Sequence, residues 1–371
     1  MLRKIWKQFH NHKNNLFGWR TKRRIIVIET DDWGSIRMAG KAAFNNLLEA
    51  GILVDKSHYN INDGLESNND LEGIYNVLSK HKDSTNRHVV LTGVNVVANP
   101  DFEKIEENNF SQYFYEPVTF TYKRYGNTHN CVHQLWNEGI EKRLFVPAFH
   151  GREHINILRW MKALQNADKN ILLSFKNRVT GIPYKEDLQA AFAVDDPRDI
   201  VFHRKVIETG LDLFKKLYGY TPRYFVPPNG PFNASSYEFL YQLGIRYINS
   251  CKWMVLPDEN GKIHKDFRYN GMKNKYLQYY LIRNCFFEPS SFMQSPAYDW
   301  VGSCLKEVET AFFWHKPAII SSHRVNYIGW INPANRDRGL ALLDELLNRL
   351  IKLWPDVEFM TSVELGDLIS E

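Results

Sequence analysis

Short apolar runs of strand length alternate along most of the chain with longer segments in which apolar residues recur every three or four positions. The apolar runs predict eight strands, at residues 24–29, 88–94, 144–148, 171–175, 224–226, 247–249, 318–321 and 358–361. The periodic segments predict helices at residues 41–50, 70–79, 155–165, 200–216, 235–243, 301–313 and 336–352. Because strands and helices alternate, the pattern indicates a parallel sheet, either open or closed into a barrel.

Two stretches, residues 108–137 and 256–280, do not follow this alternation. We expect them to cross the rim of the sheet or barrel, where selectivity for a substrate commonly lies. The chain shows no internal repeat, low-complexity tract or long linker rich in Gly, Pro or Ser. The pattern therefore predicts one domain over residues 24–371, preceded by a separate N-terminal segment, residues 1–23.

Positive charge is concentrated at the N-terminus. Of a formal net charge of +5, residues 1–24 contribute eight Lys or Arg and no Asp or Glu, which leaves −3 for the rest of the chain. A net acidic folded part argues against nucleic-acid binding, which favours positive charge on a folded face. Apolar residues of this segment recur at helical spacing, namely Leu2, Ile5, Trp6 and Phe9. The segment is either a basic amphipathic helix that contacts an anionic membrane or a partner, or a helix that packs on the barrel.

Membrane and export signals are absent from the sequence as given. No apolar stretch approaches the roughly 20 residues that a membrane helix needs, and the N-terminus has no apolar core of a secretory signal. The sequence therefore predicts a cytoplasmic protein. Its four cysteines are far apart and form no C-x-x-C pair, so they predict neither a disulfide framework nor a thiolate zinc site.

Two adjacent carboxylates, Asp31 and Asp32, directly follow the first predicted strand. The carboxyl ends of parallel strands are where α/β enzymes place catalytic groups. Because neighbouring side chains on an extended backbone point in different directions, one carboxylate can bind a metal while the other faces a substrate as a base. A helix-capping aspartate in a strand-to-helix turn is the alternative explanation.

Histidines follow two other predicted strands. His150 and His154 come after residues 144–148, and their i, i+4 spacing places them on one face of a helical turn, close enough to share a cation. His323 follows the apolar run at residues 318–320 and suits general acid catalysis, because its reference pKa lies near neutrality. Packing is the alternative role for each histidine taken alone, but their matched positions at strand ends favour a common site.

These segments, in this order, resemble the motifs of the polysaccharide deacetylase family, carbohydrate esterase family four. The segments that carry the resemblance are Thr30-Asp31-Asp32, His150 with His154, Phe225-Val226-Pro227-Pro228-Asn229-Gly230, Asp299-Trp300 and Ile320-Ser321-Ser322-His323. The resemblance spans roughly residues 24 to 371. It implies an α/β fold, a distorted seven-stranded (β/α) barrel, and a deacetylase-like catalytic domain.

The resemblance also implies a reaction and a cofactor. Asp32, His150 and His154 would bind one divalent cation, expected to be zinc, although cobalt, nickel or iron also suit such ligands. The reaction would remove an N- or O-linked acetyl group from a carbohydrate, with Asp31 as the base and His323 as the acid.

Three further residues have implied roles around the acetyl group. The backbone N–H of Asn229 would donate to the oxyanion, Trp300 would wall the acetyl pocket, and Asp299 would orient its neighbours. The chain departs from the family at Val226, where the family has the arginine that orients the catalytic aspartate. We expect Arg324, beside His323, to supply a replacement cation at the substrate site. 

A second departure is Trp33, which stands between Asp32 and Gly34 and lengthens the turn after the first motif. Two other functions stay open: a sugar-binding relative without catalysis, which the loss of the family arginine favours, and a metal-dependent hydrolase of another small amide or ester. Retention of both a base and an acid argues against the first. A cytoplasmic location favours a sugar precursor, lipid-linked or free, over a mature wall polymer as the substrate.

Overall fold

The computed structural model describes residues 12–230, 232–257, 263–292, 294–295 and 297–371. The strands of these ranges are β1 (Arg24–Trp33), β2 (Leu91–Val96), β3 (Ala98–Pro100), β4 (Tyr115–Pro117), β5 (Phe145–Gly151), β6 (Tyr224–Phe225), β7 (Tyr247–Asn249), β8 (Trp253–Pro257), β9 (Ile263–Phe267), β10 (Tyr279–Leu281), β11 (Cys285–Phe286), β12 (Ala318–His323) and β13 (Val357–Met360). The α-helices that follow β1 are Lys41–Glu49, His58–Asn62, Asn68–Leu78, Phe102–Glu107, Val118–Tyr125, Val132–Glu141, Ile157–Gln165, Lys169–Lys176, Asp199–Tyr218, Tyr237–Gln242, Trp300–Phe313, Pro333–Leu353 and Ser362–Ser370.

One parallel sheet, in the order β10-β7-β6-β5-β2-β1-β12-β11, curls into a barrel. Its two end strands, β10 and β11, are consecutive in the chain and are separated by residues 282–284 alone, so the chain itself joins the ends. Counted as one interrupted strand, they give seven positions around the barrel. The distorted seven-stranded α/β barrel is therefore confirmed.

The ninth strand of this sheet, β13, pairs with the first part of β1. It contacts Arg24–Val27, whereas β2 begins to pair with β1 at Ile28, so the two strands share one edge of β1. The prediction of a strand at 358–361 is confirmed within one residue at each end. β13 therefore pairs with the amino-terminal half of β1, and β2 pairs with the carboxyl-terminal half.

Side chains of β1 alternate between the barrel interior and the helical layer. Ile25 and Val27 belong to a small apolar cluster inside the barrel, which the C-terminal helix Ser362–Ser370 closes at one end. Ile26 and Ile28 belong instead to the large cluster under the surrounding helices. Because strand side chains alternate, Glu29 continues the interior row towards the carboxyl end. The strand thus directs carboxylates into one mouth of the barrel.

Three parts of the fold differ from the sequence prediction. The predicted strand at 171–175 is wrong: the segment is the helix Lys169–Lys176, because the Asp168 side chain accepts hydrogen bonds from the first backbone N–H groups and so caps a helix. The predicted rim excursion at 108–137 contains part of the helix Val132–Glu141, which packs outside the barrel against β5. The excursion at 256–280 contains β9 and the last two residues of β8, and these two strands form an antiparallel hairpin.

The N-terminal segment is described from His12 onwards, so Leu2, Ile5, Trp6 and Phe9 lie outside the described residues. Among the residues that are described, no helix has the length and apolar character needed to cross a membrane.

Candidate active site

The carboxyl ends of β1, β5 and β12 bring the predicted site residues to one mouth of the barrel. The register of the parallel strands places Asp31 of β1 directly beside His323 of β12. His150 lies near the end of β5, which is separated from β1 by β2 alone. Strands that run parallel end on the same side of a sheet, so side chains far apart in sequence converge here.

Asp32, His150 and His154 form a buried cluster. One candidate ligand atom from each lies within 4.8 Å of the others. The Nε2 atom of His154 is 3.0 Å from Asp32 Oδ1, and the Nε2 atom of His150 is 3.4 Å from the same oxygen. The structure therefore assembles the three residues for which the sequence predicts metal ligation.

A backbone carbonyl orients His150. Its Nδ1–H donates to the carbonyl oxygen of Val226 at 2.7 Å, which fixes the tautomer and leaves the lone pair of Nε2 directed at Asp32. That Nε2 atom is buried and has no hydrogen-bond partner among the described residues. A buried nitrogen lone pair without a donor is costly in the bare protein but is satisfied when it ligates a cation. Val226, the departure from the family motif, thus contributes through its backbone.

The donor set fits a divalent cation. Burial lowers the pKa of His154, against the opposing charge of Asp32, so the imidazole stays neutral as ligation requires. Burial would raise the pKa of Asp32, but the charge of Arg37 and the contacts with His154 and His150 outweigh it and hold that pKa well below its usual range. Two neutral imidazoles and one carboxylate are ligands that catalytic zinc sites use, with a further position left for water. These donors also suit other first-row metals.

Strained backbone aims the Asp32 carboxylate. Asp32 has φ 81°, in the left-handed region that non-glycine residues rarely adopt, and the pairing of β1 with β2 shifts register between Thr30 and Trp33. Trp33 is fully buried against Phe145, and its indole N–H donates to Thr30 Oγ1 at 2.8 Å. The extra residue of the lengthened turn is therefore a buried anchor that stabilises this bulge.

Arg283 grips the predicted base. Its Nη2 and Nη1 atoms lie 2.6 and 2.7 Å from the two oxygens of Asp31, and its Nε lies 2.5 Å from Glu29. Burial would raise the pKa of Asp31, but the charge and hydrogen bonds of Arg283 lower it below the usual value. Asp31 is therefore an ionised carboxylate held in one orientation. The sequence signal for Arg283 is weak: it directly follows the short apolar run Tyr280-Leu281-Ile282, beside the stretch that we predicted to be an excursion.

Arg324 has a different place from the predicted one, and its prediction as a substrate-contacting replacement cation is wrong. Its side chain has no exposed surface, and it donates to Asp63 at 2.9 Å, to Glu66 at 2.6 Å and to a backbone carbonyl. Asp63 also accepts from Arg37, which in turn holds Asp32 at 3.0 Å. Arg324 thus belongs to a buried network of alternating charges behind the cluster of Asp32, His150 and His154.

Glu288 holds the predicted acid. Its Oε2 lies 2.8 Å from Nδ1 of His323, whose Nε2 is 4.0 Å from Asp31. Burial alone would lower the pKa of His323. The charge and hydrogen bond of the buried Glu288 outweigh burial and raise that pKa to about 9. His323 is therefore protonated at neutral pH while Asp31 is ionised. No sequence pattern pointed to Glu288, because the strand that precedes it has only two residues.

Asp299 and Trp300 have structural contacts in this fold. The Asp299 carboxylate accepts from the backbone N–H of Gly302 at 2.7 Å and so caps the helix Trp300–Phe313. The ring of Trp300 is buried against Tyr298 and Phe286. The orienting role of Asp299 and the acetyl-pocket role of Trp300 both stay predictions.

Asn229 follows β6 in an exposed turn. Its backbone has φ 51°, and its side-chain amide donates to both carboxylate oxygens of Asp187, at 2.9 and 3.2 Å. These bonds fix the turn that carries the backbone N–H. Its role as an oxyanion donor stays a prediction.

Aromatic side chains from the short helix His58–Asn62 wall the acid, and the sequence did not indicate them. The Tyr59 ring contacts the His323 ring edge to face, with centroids 5.5 Å apart, and it also lies under the guanidinium of Arg37 at 4.6 Å. The Nε2 atom of His58 lies 3.8 Å from Glu288. This helix therefore covers one side of the base and acid pair.

Comparison with known proteins gives structural likenesses alone. No family model matches the chain, and no curated protein matches it. A protein assigned as a polysaccharide deacetylase from Mycobacterium smegmatis is 11% identical, covers 95% of this chain and 92% of its own, and has a TM-score of 0.44. The allantoinase Puue is 11% identical, with coverages of 94% and 91% and a TM-score of 0.46. A carbohydrate esterase family four pseudoenzyme from Bacillus anthracis is 10% identical, with coverages of 94% and 67% and a TM-score of 0.37.

The first and third of these proteins bear the description of the family whose motifs this chain resembles. A deacetylase assignment, an allantoinase and a pseudoenzyme stand side by side among the similar structures. These similarities therefore do not assign a reaction to this chain.

Proposed function

We propose that this protein is a metal-dependent hydrolase that removes acetyl groups from a carbohydrate. One observation carries the proposal: an ionised carboxylate, Asp31, and a protonated imidazole, His323, face each other at 4.0 Å beside the buried cluster of Asp32, His150 and His154. A base and an acid in their working protonation states, next to a cation site, are what hydrolysis of an amide or ester needs. The motif resemblance selects acetylated carbohydrate as the substrate class.

The residues of the site divide the chemistry between them. Asp32, His150 and His154 would hold a divalent cation, which would supply an activated water and polarise the acetyl carbonyl. Asp31 accepts the proton of the attacking water, and Arg283 keeps its carboxylate in one orientation. His323 donates its Nε2 proton to the leaving nitrogen or oxygen, so that acetate and a free amine or hydroxyl are released.

The hydrogen bond between His323 and Glu288 serves the acid step. It leaves Nε2 as the atom that faces Asp31, and it stabilises the imidazolium that must form again after each turnover. The Tyr59 ring packs against one side of the His323 ring. The geometry therefore supports catalysis in which the proton acceptor and the proton donor are neighbours beside the cation site.

A sugar-binding relative without catalysis is the second candidate. Its support was the loss of the family arginine at Val226. Arg283 now holds the base with two short hydrogen bonds, which removes that support. A site without catalysis does not require a base held by an arginine and an acid held by a glutamate. We therefore favour the enzyme.

Acetate release tests the proposal. Purified protein, loaded with zinc or cobalt, is incubated with N-acetylated and O-acetylated oligosaccharides and with an acetylated glycolipid extract, and free acetate is measured. The His323→Ala variant serves as the matched control, because it keeps the three cation ligands but loses the acid. Metal uptake without acetate release from any of these substrates would turn the argument to the sugar-binding function, and release that His323→Ala leaves unchanged would contradict the assigned acid.

A further inference from the structure

A cavity of about 710 Å³ lies beside the join between the two end strands of the barrel. Its walls come from four segments of the chain, at residues 13–17, 249–253, 267–270 and 282–284, and from Lys316 and Ser321. Arg283, which grips Asp31 on its other side, is one of the lining residues. The cavity is therefore separated from the proposed base by a single side chain.

The lining of this cavity carries charge of one sign. Its described lining residues include five cations and no carboxylate, the cations being Lys13, Lys252, Arg268, Arg283 and Lys316. The two arginines have carboxylate partners nearby, since Arg268 pairs with Asp266 at 2.8 Å and Arg283 with Asp31. Within the described part of the chain, Lys252 and Lys316 form no ion pair with a carboxylate.

Both lysines donate instead to neutral oxygen atoms of the N-terminal segment. The Nζ atom of Lys252 lies 2.7 Å from the carbonyl oxygen of Lys13, and that of Lys316 lies 2.5 Å from the carbonyl of Gly18 and 3.1 Å from that of Trp19. Carbonyl groups orient an ammonium but do not neutralise it. Among the residues that the structure describes, neither of these two positive charges has a counter-ion.

The pKa values of both lysines are lowered in this arrangement. Burial lowers the pKa of Lys316 to about 8, and the charges of Arg20 and Lys252 contribute to the shift. Burial also lowers the pKa of Lys252, with a contribution from Lys13. A bound anion would offset both burial and mutual repulsion. The cavity therefore favours a negatively charged group.

The mouth of the cavity is aromatic. The ring of Phe267 contacts the rings of Trp253 and Phe17, with centroids 4.8 and 5.5 Å apart. Trp253 is 55% exposed and Phe17 is 57% exposed, which is unusual for large apolar side chains on one small surface. Leu16 and Ile282 extend the apolar lining. A ligand that matches both features has a charged end and an apolar end.

We propose that this cavity binds an anionic amphiphile, with its headgroup at Lys252 and Lys316 and its chain against Phe17, Trp253 and Phe267. The inference does not depend on the deacetylase proposal, because it concerns binding on the far side of Arg283. Residues 1–11 of the same chain are a poor occupant, since they carry Arg3, Lys4 and Lys7 and no carboxylate, and like charges repel.

Dodecyl phosphate is the probe that tests the site, by calorimetric titration of the full-length protein. We expect one saturable site whose affinity falls about tenfold in Lys252→Met, as loss of one charge-assisted contact predicts. Lys265→Met is the matched control, because Lys265 is an exposed lysine of the same hairpin outside the cavity lining, and it should bind as the wild type does. Circular dichroism checks that both variants are folded.

Neutral dodecyl maltoside separates charge recognition from apolar adsorption. Equal affinity for both amphiphiles, no saturable binding of dodecyl phosphate, or unchanged affinity in Lys252→Met would each overturn the proposal. Inorganic phosphate should compete weakly with dodecyl phosphate if the headgroup site is correctly placed, and its failure to compete at any concentration would place the anion elsewhere.

Sedimentation with vesicles identifies the source of the ligand. Phosphatidylcholine vesicles are compared with vesicles that also contain phosphatidylglycerol, using the wild type and Lys252→Met. Lys252-dependent sedimentation with the anionic vesicles supports the site and assigns it to a membrane lipid. Lys252-dependent binding of dodecyl phosphate without sedimentation supports the site and assigns it to a soluble amphiphile. Acetate release, measured separately, reports on the proposed deacetylase alone.

Discussion

Arg283 and Asp31 form a two-point ion pair, with both guanidinium Nη atoms on the two carboxylate oxygens at 2.6 and 2.7 Å. The contact spans 252 positions of the sequence and joins β1 to the junction between β10 and β11. Two parallel hydrogen bonds fix both the position and the plane of a carboxylate, which a single lysine contact cannot do. The cation that the motif pattern would place at residue 226 thus reaches the base from another side of the barrel.

Replacement of Arg283 should impair the base step. We expect Arg283→Ala to lower kcat/KM about 100-fold, the lower end of what a positioned general base contributes. Arg283→Lys keeps the charge but loses the fork and should recover part of the activity. The measurement is steady-state acetate release alongside metal content, and the metal content should stay near that of the wild type because no cation ligand is changed. Unaltered kinetics in Arg283→Ala would show that Asp31 needs no clamp.

The same variant should shift the acid limb of the pH profile. Arg283 lowers the pKa of Asp31, and the base works in its ionised form, so activity is present above that pKa and is lost as the pH falls through it. Removing the guanidinium raises the pKa of Asp31, and the acid limb of kcat/KM should move to higher pH. Profiles measured across the acid range in wild type, Arg283→Ala and Arg283→Lys give the comparison, and the acid limb of the lysine variant should lie between those of the other two proteins.

Glu288 should control the opposite limb. The pKa of His323 is raised to about 9 by Glu288, and the acid works in its protonated form, so activity is lost as the pH rises through that value. Glu288→Gln removes the negative charge but keeps a hydrogen-bond acceptor, and the alkaline limb should move to lower pH. Asp299→Asn is the control, because it changes a helix cap and should leave the profile in place. If the alkaline limb stays fixed in Glu288→Gln, another group is the acid.

The sequence was sufficient to predict the barrel and to place Asp31, Asp32, His150 and His323 at the ends of its strands. Alternation of apolar runs with periodic segments is local information, and it predicted the parallel sheet in which Asp31 and His323 become neighbours. The error at residues 171–175 has a local cause as well, because five apolar or small residues suit a buried strand and a short helix equally. There the capping aspartate decided the outcome.

The partners of the proposed catalytic pair, Asp31 and His323, could not be predicted from the sequence. Arg283 reaches Asp31 across 252 positions and Glu288 reaches His323 across 35, and both stand beside strands of two or three residues. Adjacency in the chain suggested Arg324 as the cation, yet its side chain points into the buried network of Asp63 and Glu66. Which cation pairs with which carboxylate depends on the curl of the sheet, and no local pattern encodes it.

The three predicted ligands should bind metal as a unit. We expect near-stoichiometric metal in the wild type after loading with zinc or cobalt, and loss of it in the double variant His150→Ala/His154→Ala, because a single remaining carboxylate is a weak site. His133→Ala is the control, since His133 bonds a backbone carbonyl away from this cluster. Elemental analysis of the dialysed proteins gives the ratio. Full retention of metal in the double variant would place the cation elsewhere.

Arg324 should matter for stability rather than for substrate contact. Its guanidinium has no exposed surface, and its removal in Arg324→Ala leaves the carboxylates of Asp63 and Glu66 buried without that partner. Breaking a buried ion pair from one side costs about 3–5 kcal/mol, whereas Arg349→Ala, which breaks an exposed pair with Glu345, should cost at most about 1 kcal/mol. Urea unfolding of both variants measures the difference in the free energy of unfolding.

The Arg324→Ala variant also shows whether Arg324 acts through metal binding or in the catalytic step. Asp63 also holds Arg37, which holds Asp32, so a weakened network should loosen metal binding while leaving the contact of Asp31 with Arg283 in place. We therefore expect folded Arg324→Ala to need more metal for half-maximal activity and to reach a kcat near that of the wild type when saturated with metal. High metal concentration corrects weakened metal binding by mass action but does not correct the loss of a catalytic group. A kcat that stays low at saturating metal would therefore assign Arg324 a role in the catalytic step.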